Sequence, residues 1–291
     1  MSSSGRQLVM GLASGMTLAL LKPFFLSLEQ AGYQGDICLF VRDLDDDAQT
    51  FLRARRINLI PFRKAYIRPR WAKVAGLAKL FLKREQRARL DEQLGLSYVH
   101  PHCARHIYCH AYLTECGAGY DQVMLADVRD ILFQKDPFAF EMPDGLSVFM
   151  EDASQTIGTC PTNSARMRHG FGRAALRELQ DRRIFCSGTI FGTPTAMRDY
   201  FARVLQIYYA RKTRKTIDQG THNYVLHKEP PPKVHRFDND GPVLTMGFVD
   251  PARLSFNDHG LLVNSTGQVF NTLHQYDRHP ELAKRLLEVL T

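Results

Sequence analysis

The sequence predicts an α/β fold, a mixed and mostly parallel sheet flanked by helices in one domain spanning residues 1–291. Short apolar runs alternate with helix-spaced segments from Gln7 to Ile60, the order that builds parallel βαβ units. Further short apolar runs follow at Gln122–Ala126, Leu146–Met150 and 184–191, the first two running straight into acids. A hydrophobic content of 44% with 23% charged residues is an ordinary globular balance that excludes disorder, collagen and coiled coil.

Each element has its own warrant. Residues 7–13 are a buried strand ending in the turn signal Ser14-Gly15. Residues 18–31 have helical apolar spacing and close on Gly32, so the greasy stretch 8–28 reads as strand, turn and helix. Lys22 and Pro23 interrupt it, whereas a membrane span needs about 20 unbroken apolar residues. Residues 36–41 form a second strand, and Asp45, Asp46 and Asp47 then open a helix where its dipole favours acids. Residues 58–60 are a third strand stopped by Pro61. Helices are expected from about Ala104 to Cys116 and over 195–209, and a last strand over 268–271. Pro230-Pro231-Pro232 is an extended connector. Six cysteines are too few for a disulfide scaffold, and Met1 to Arg6 lacks a signal-peptide layout, so the expected compartment is a reducing cytoplasm.

The strongest chemical signal is Asp127-Val128-Arg129-Asp130, delivered by an apolar strand and followed by Asp136-Pro137. Carboxylates at a strand's C-terminal end suit a hard cation such as Mn²⁺ or Mg²⁺. Both acids reach one ion only if the chain turns at Val128-Arg129, since side chains three apart on a strand face opposite ways. A strand end with solvated acids is the plainer reading. Glu151-Asp152 is a second acid pair at a strand end, ranked lower as a candidate base. His102, His106 and His110 fall at helical spacing and raise a zinc site, which the absence of any CxxC pair disfavours.

This arrangement resembles the DxD region of GT-A glycosyltransferases, and other segments match in the same order. Ser14 and Gly15 fall where that family places its first nucleotide-contacting loop. Arg105 resembles the basic residue that approaches the nucleotide. Ser187 and Gly188, within Cys186-Ser187-Gly188-Thr189, resemble the small-residue strand beside the donor sugar. Asp218 and Gln219 resemble the acidic-Gln motif near the reacting sugar of retaining families, although Asp218 reads equally well as a first-turn helix acid. His274, in His274-Gln275-Tyr276-Asp277, resembles the late histidine that completes the metal site, with Asp277 as its orienting partner. A bacterial group of glycosyltransferases carrying DVRD, FQxDPF and HQYDRHPEL is the nearest likeness. One feature departs: the family's acids stand two apart, whereas Asp127 and Asp130 stand three apart.

The resemblance implies transfer of a hexose from a nucleotide-diphosphate donor such as a UDP-hexose to a glycan or lipid-linked acceptor. Metal ligands would be Asp127, Asp130 and His274; donor contacts Ser14, Gly15, Arg105, Asp127, Ser187 and Gly188; and Asp218 and Gln219 would act at the reacting centre. The Asp-Gln pair points to retention of configuration.

Charge adds a separate observation. The net +8 divides into a +12 segment between Arg53 and Arg89, holding 13 Lys/Arg and one acid, and a remainder of −4. A basic helical insertion at about 62–95, with Trp71, Val74, Leu77 and Phe81 at helical spacing, suits an anionic acceptor or the inner membrane surface. Binding of nucleic acid or another polyanion through 53–89 is the rival of a different class, disfavoured by the acidic remainder and the lack of a recognised module. A metal-dependent phosphohydrolase or nucleotidyltransferase using Asp127 and Asp130 is the other alternative.

Overall fold

The computed structural model describes residues 5–62, 83, 99–211, 213 and 215–291. The basic helical insertion therefore lies almost wholly outside the described residues.

The first half follows the predicted alternation: β1 (Gln7–Ser14), α1 (Leu18–Gln30), β2 (Asp36–Arg42), α2 (Asp46–Arg53) and β3 (Ile57–Pro61). Gly32, with φ of +79°, ends the α1 segment in the left-handed region, and the Asp45 side chain caps α2 by accepting the Ala48 N–H at 2.7 Å. Then come α3 (Pro101–Cys116), β4 (Gln122–Ala126), β5 (Ile131–Phe133) and β6 (Leu146–Met150). Helix α3 starts earlier than expected, because Pro101 is pre-set for a first helical turn and the His100 imidazole accepts the His102 N–H. The chain continues through α4 (Pro161–Leu179), β7 (Phe185–Gly192), α5 (Pro194–Arg211) and α6 (Asp218–Lys228). Beyond the proline connector lie β8 (Val234–Phe237), β9 (Val243–Thr245), β10 (Ser255–Phe256), β11 (Leu262–Val263), β12 (Thr272–His274) and α7 (Pro280–Leu290).

Among the described residues, seven strands form the central sheet in the order β3-β2-β1-β4-β7-β6-β8, with only β7 antiparallel to its neighbours. Side-chain alternation sorts the strand residues between two layers. Leu8, Met10, Val123 and Leu125 point to one side, into a core with Ile107, Leu113, Tyr200, Phe201 and Val204 of α3 and α5. Val9, Ala13, Met124 and Ala126 point to the other, into a core with Phe24, Phe25 and Leu28 of α1.

A smaller sheet, β5-β12-β9, packs with α7 around Leu132, Leu273 and Leu286. The strand expected at 268–271 is displaced to Thr272–His274. Gln268 instead closes a turn on Asn264, whose backbone and side chain both bond it, with Gly267 at φ +80°. Among the described residues, no helix is long and apolar enough to cross a membrane.

Candidate metal and donor site

Strand β4 stops at Ala126, and the chain turns through Val128 and Arg129 before entering β5. That turn removes the opposite-face problem and sets Asp127 and Asp130 on one side. The third member arrives by pairing: β12 lies antiparallel to β5 with His274 opposite Ile131, and the Gln275 N–H donates to the Asp130 carbonyl at 2.7 Å. His274 Nε2 then lies 3.5 Å from Asp130 Oδ1 and 3.9 Å from Asp127 Oδ2. One ligand atom from each of the three residues falls within 4.8 Å of the others.

These residues fit a divalent cation on three counts. Two carboxylates and an imidazole are a donor set for Mn²⁺ or Mg²⁺. His274 is buried, and its Nε2 has no hydrogen-bond partner among the described residues. Gly188 leaves the space open: a Cβ there would stand 2.5 Å from His274 Nε2 and 2.7 Å from Asp127 Oδ2. Burial alone would raise the pKa of Asp130, but His274, Arg129 and Arg278 outweigh it and hold the carboxylate below its usual range.

The orienting partner of His274 differs from the expected one. Its Nδ1 meets Cys186 Sγ at 3.1 Å, whereas Asp277 is taken by Arg129 at 3.0 Å and by Arg278. A carboxylate a few residues past the end of a short strand follows the chain into the next turn and leaves the imidazole behind.

Arg105, buried on α3, binds Asp127 directly and donates to the Ser187 carbonyl at 2.8 Å. Desolvation opposes its charge, and Asp127 and Asp218 outweigh that penalty. Asp218 opens α6 at 3.8 Å from Arg105 and 3.7 Å from Arg166 on α4. Burial would push the Asp218 carboxyl up, and the two arginines hold it below its usual range instead. Gln219 accepts the Ser187 N–H at 2.8 Å and donates to Glu151 at 3.0 Å and to the Phe185 carbonyl at 2.9 Å. Glu151 is buried, which pushes its carboxyl up to about 7 against the opposing influence of His274, Gln219 and Arg166. Helix α6 buries Asp218, Gln219, Thr221, His222 and Asn223 together. A run of buried polar side chains is costly unless each has a task.

The structure thus brings together Arg105, Asp127, Asp130, Ser187, Gly188, Asp218, Gln219 and His274. Ser14 ends β1 and Gly15 follows it, at the same carboxyl end of the parallel strands as Asp127; Gly15 takes φ +64° and donates to the Arg42 carbonyl. The Glu151-Asp152 pair splits, with Glu151 on Gln219 and Asp152 bonding the Ser154 N–H on the surface side. The zinc face on α3 does not assemble: His106 is buried against Tyr208, its Nδ1 3.0 Å from that hydroxyl, while His102 is exposed. Cys186 and Arg166 take up positions that the sequence alone does not assign, and Glu151, expected only as a lower-ranked candidate base, is buried against Gln219. A cysteine flanking the small-residue motif and an acid ending an apolar strand were the available signals.

No protein-family model and no curated protein matches this sequence. The fold nonetheless belongs to a class known from solved structures, a mixed α/β fold with a central, mostly parallel sheet flanked by helices, similar to that of a glycosyltransferase. The particular likeness is to the crystal structure of an active-site mutant of the glycosyltransferase LgtC, with a TM-score of 0.51 over 92% of this chain and 86% of that one. At 14% sequence identity, the likeness is one of fold.

Proposed function

We propose that the chain is a glycosyltransferase that moves a hexose from a nucleotide-diphosphate donor, such as a UDP-hexose, to a glycan or lipid-linked acceptor. The convergence of Asp127, Asp130 and His274 beside the buried Arg105, in a fold like that of LgtC, carries the reading. A bound Mn²⁺ or Mg²⁺ would be held by those three residues and would neutralise charge on the diphosphate. Arg105 adds a fixed positive charge that needs no reorganisation as the bond breaks. Asp218, kept ionised by Arg105 and Arg166, is suited to stabilise positive charge at the anomeric carbon. Gln219 is held by Ser187, Glu151 and the Phe185 carbonyl and orients that wall of the site.

The acceptor hydroxyl oxygen bonds to the anomeric carbon as the bond to the diphosphate oxygen breaks. The nucleoside diphosphate leaves with the electron pair and takes the hydroxyl proton. The Asp218-Gln219 pair favours retention of configuration. The test is release of nucleoside diphosphate from a panel of nucleotide sugars with Mn²⁺, with and without acceptor. Metal-dependent turnover that Asp130→Ala and His274→Ala each abolish is expected; full turnover in either variant would falsify the assignment. Acceptor-independent cleavage of phosphoesters that are not nucleotide sugars would identify a phosphohydrolase instead.

A further inference from the structure

An open cavity of about 620 Å³ is lined by Arg166, the arginine that faces Asp218. It is built where three site-bearing segments begin: His100 at the start of α3, Thr162, Arg166 and His169 on the first turns of α4, and Lys215 and Thr216 leading into α6. Arg166 forms one wall and reaches Asp218 Oδ1 at 3.7 Å, an oxygen that is buried and has no hydrogen-bond partner among the described residues. The cavity therefore opens next to the acid placed at the reacting centre.

Its lining has a distinct chemistry. Neutral sugars are gripped by carboxylates, amides and aromatic platforms, and among the described residues that line this cavity there are none of these. In their place are the cations Arg166 and Lys215, the imidazoles of His100 and His169, two hydroxyls and the N-terminal turn of α4. Desolvation, and then Lys215 and Arg168, hold the His169 imidazole below its usual range, so it faces the cavity as a neutral hydrogen-bond donor beside the cationic Arg166 and Lys215.

We propose that this cavity binds a phosphate group carried by the acceptor, an inference that rests on the glycosyltransferase reading for the word acceptor. Arg166 would bridge the two subsites, ion-paired with Asp218 on one side and bonded to the phosphate on the other. The phosphate could belong to a phosphorylated glycan or to a lipid headgroup.

Titration calorimetry on the full chain at low salt tests it, with inorganic phosphate, glucose 6-phosphate, glucose, and vesicles of phosphatidic acid or phosphatidylcholine as probes. Glucose 6-phosphate should bind and glucose should not. The exposed pair His169→Ala/Lys215→Ala should weaken phosphate binding about tenfold or more, with an unchanged melting temperature, while Lys215→Arg keeps it. Binding of phosphatidic acid vesicles alone, lost in the double variant, would assign the phosphate to a lipid. Equal affinity for glucose and its phosphate, or equal phosphate affinity in wild type and double variant, overturns the proposal. Nucleotide-sugar cleavage by the wild type is scored separately: its absence removes the transferase reading, whereas the phosphate titration still decides whether the cavity binds phosphate.

Discussion

At the scale of single residues, the site depends on which nitrogen of His274 faces the acids. Cys186 Sγ occupies Nδ1 at 3.1 Å, which turns Nε2 toward Asp127 and Asp130. Partners of this kind commonly tune metal affinity by about 10- to 100-fold. Cys186→Ala should therefore weaken Mn²⁺ binding about tenfold, while Cys186→Ser retains a partner and loses less, as read by calorimetry. Glu151 gives a pH signature. Its carboxyl titrates near 7 when folded, against a usual 4.5. The native state then holds a proton that the unfolded chain has already released, so stability falls as pH rises between those values. The stake is on the order of 3 kcal/mol. Glu151→Gln should flatten that part of the stability–pH curve in denaturant titrations; an unchanged slope would show that Glu151 is ionised throughout.

At the scale of elements, β7 matters because, beside the Cys186 thiol, it brings bare backbone to the site at Gly188. A Cβ at Gly188 would stand 2.4 Å from His274 Cε1, while the turn glycine after β1, Gly15, has open space around it. Gly188→Ala should abolish the Mn²⁺-induced thermal shift at modest cost to the fold. Gly15→Ala should leave the shift intact and cost about 1 kcal/mol of backbone strain at φ +64°. A similar contrast separates what could be read in the sequence from what could not. Strands β1, β2 and β4 alternate apolar residues into two cores, and that local pattern can be read without a structure. Helix α4 carries no such stripe. Arg166, Arg168, Arg173 and Arg177 crowd it, and Gly172, at φ +85°, breaks its backbone. Strands β5 and β12 are three residues each, too short for a period to register, and their pairing depends on a contact across most of the C-terminal half. His274 was legible through family likeness, and its partner Cys186 was not, because only the folded chain sets them side by side.

At the scale of the whole molecule, the candidate metal site joins two sheets. Asp127 follows a strand of the central sheet, whereas Asp130 leads into β5 and His274 ends β12, the middle strand of the small sheet that α7 covers. Cation binding should thus report on how the two sheets meet, apart from how stable either core is. Leu286 on α7 is fully buried in the small sheet's core and is not itself a ligand. Leu286→Ala should cost about 2–5 kcal/mol of stability through the cavity it leaves. A ligand present at about one hundred times its dissociation constant stabilises the folded state by about 2.7 kcal/mol, whatever the starting stability. Melting curves recorded in EDTA and in excess Mn²⁺ should therefore show a lower baseline for Leu286→Ala with a metal-induced stabilisation close to that of the wild type. Asp130→Ala should show the reverse, a small change of baseline in EDTA and no response to Mn²⁺, because its arginine partners Arg129 and Arg278 are half-exposed and water replaces the lost carboxylate. A Mn²⁺ response that survives in Asp130→Ala would place the cation elsewhere and separate the two sheets from the metal chemistry proposed for them.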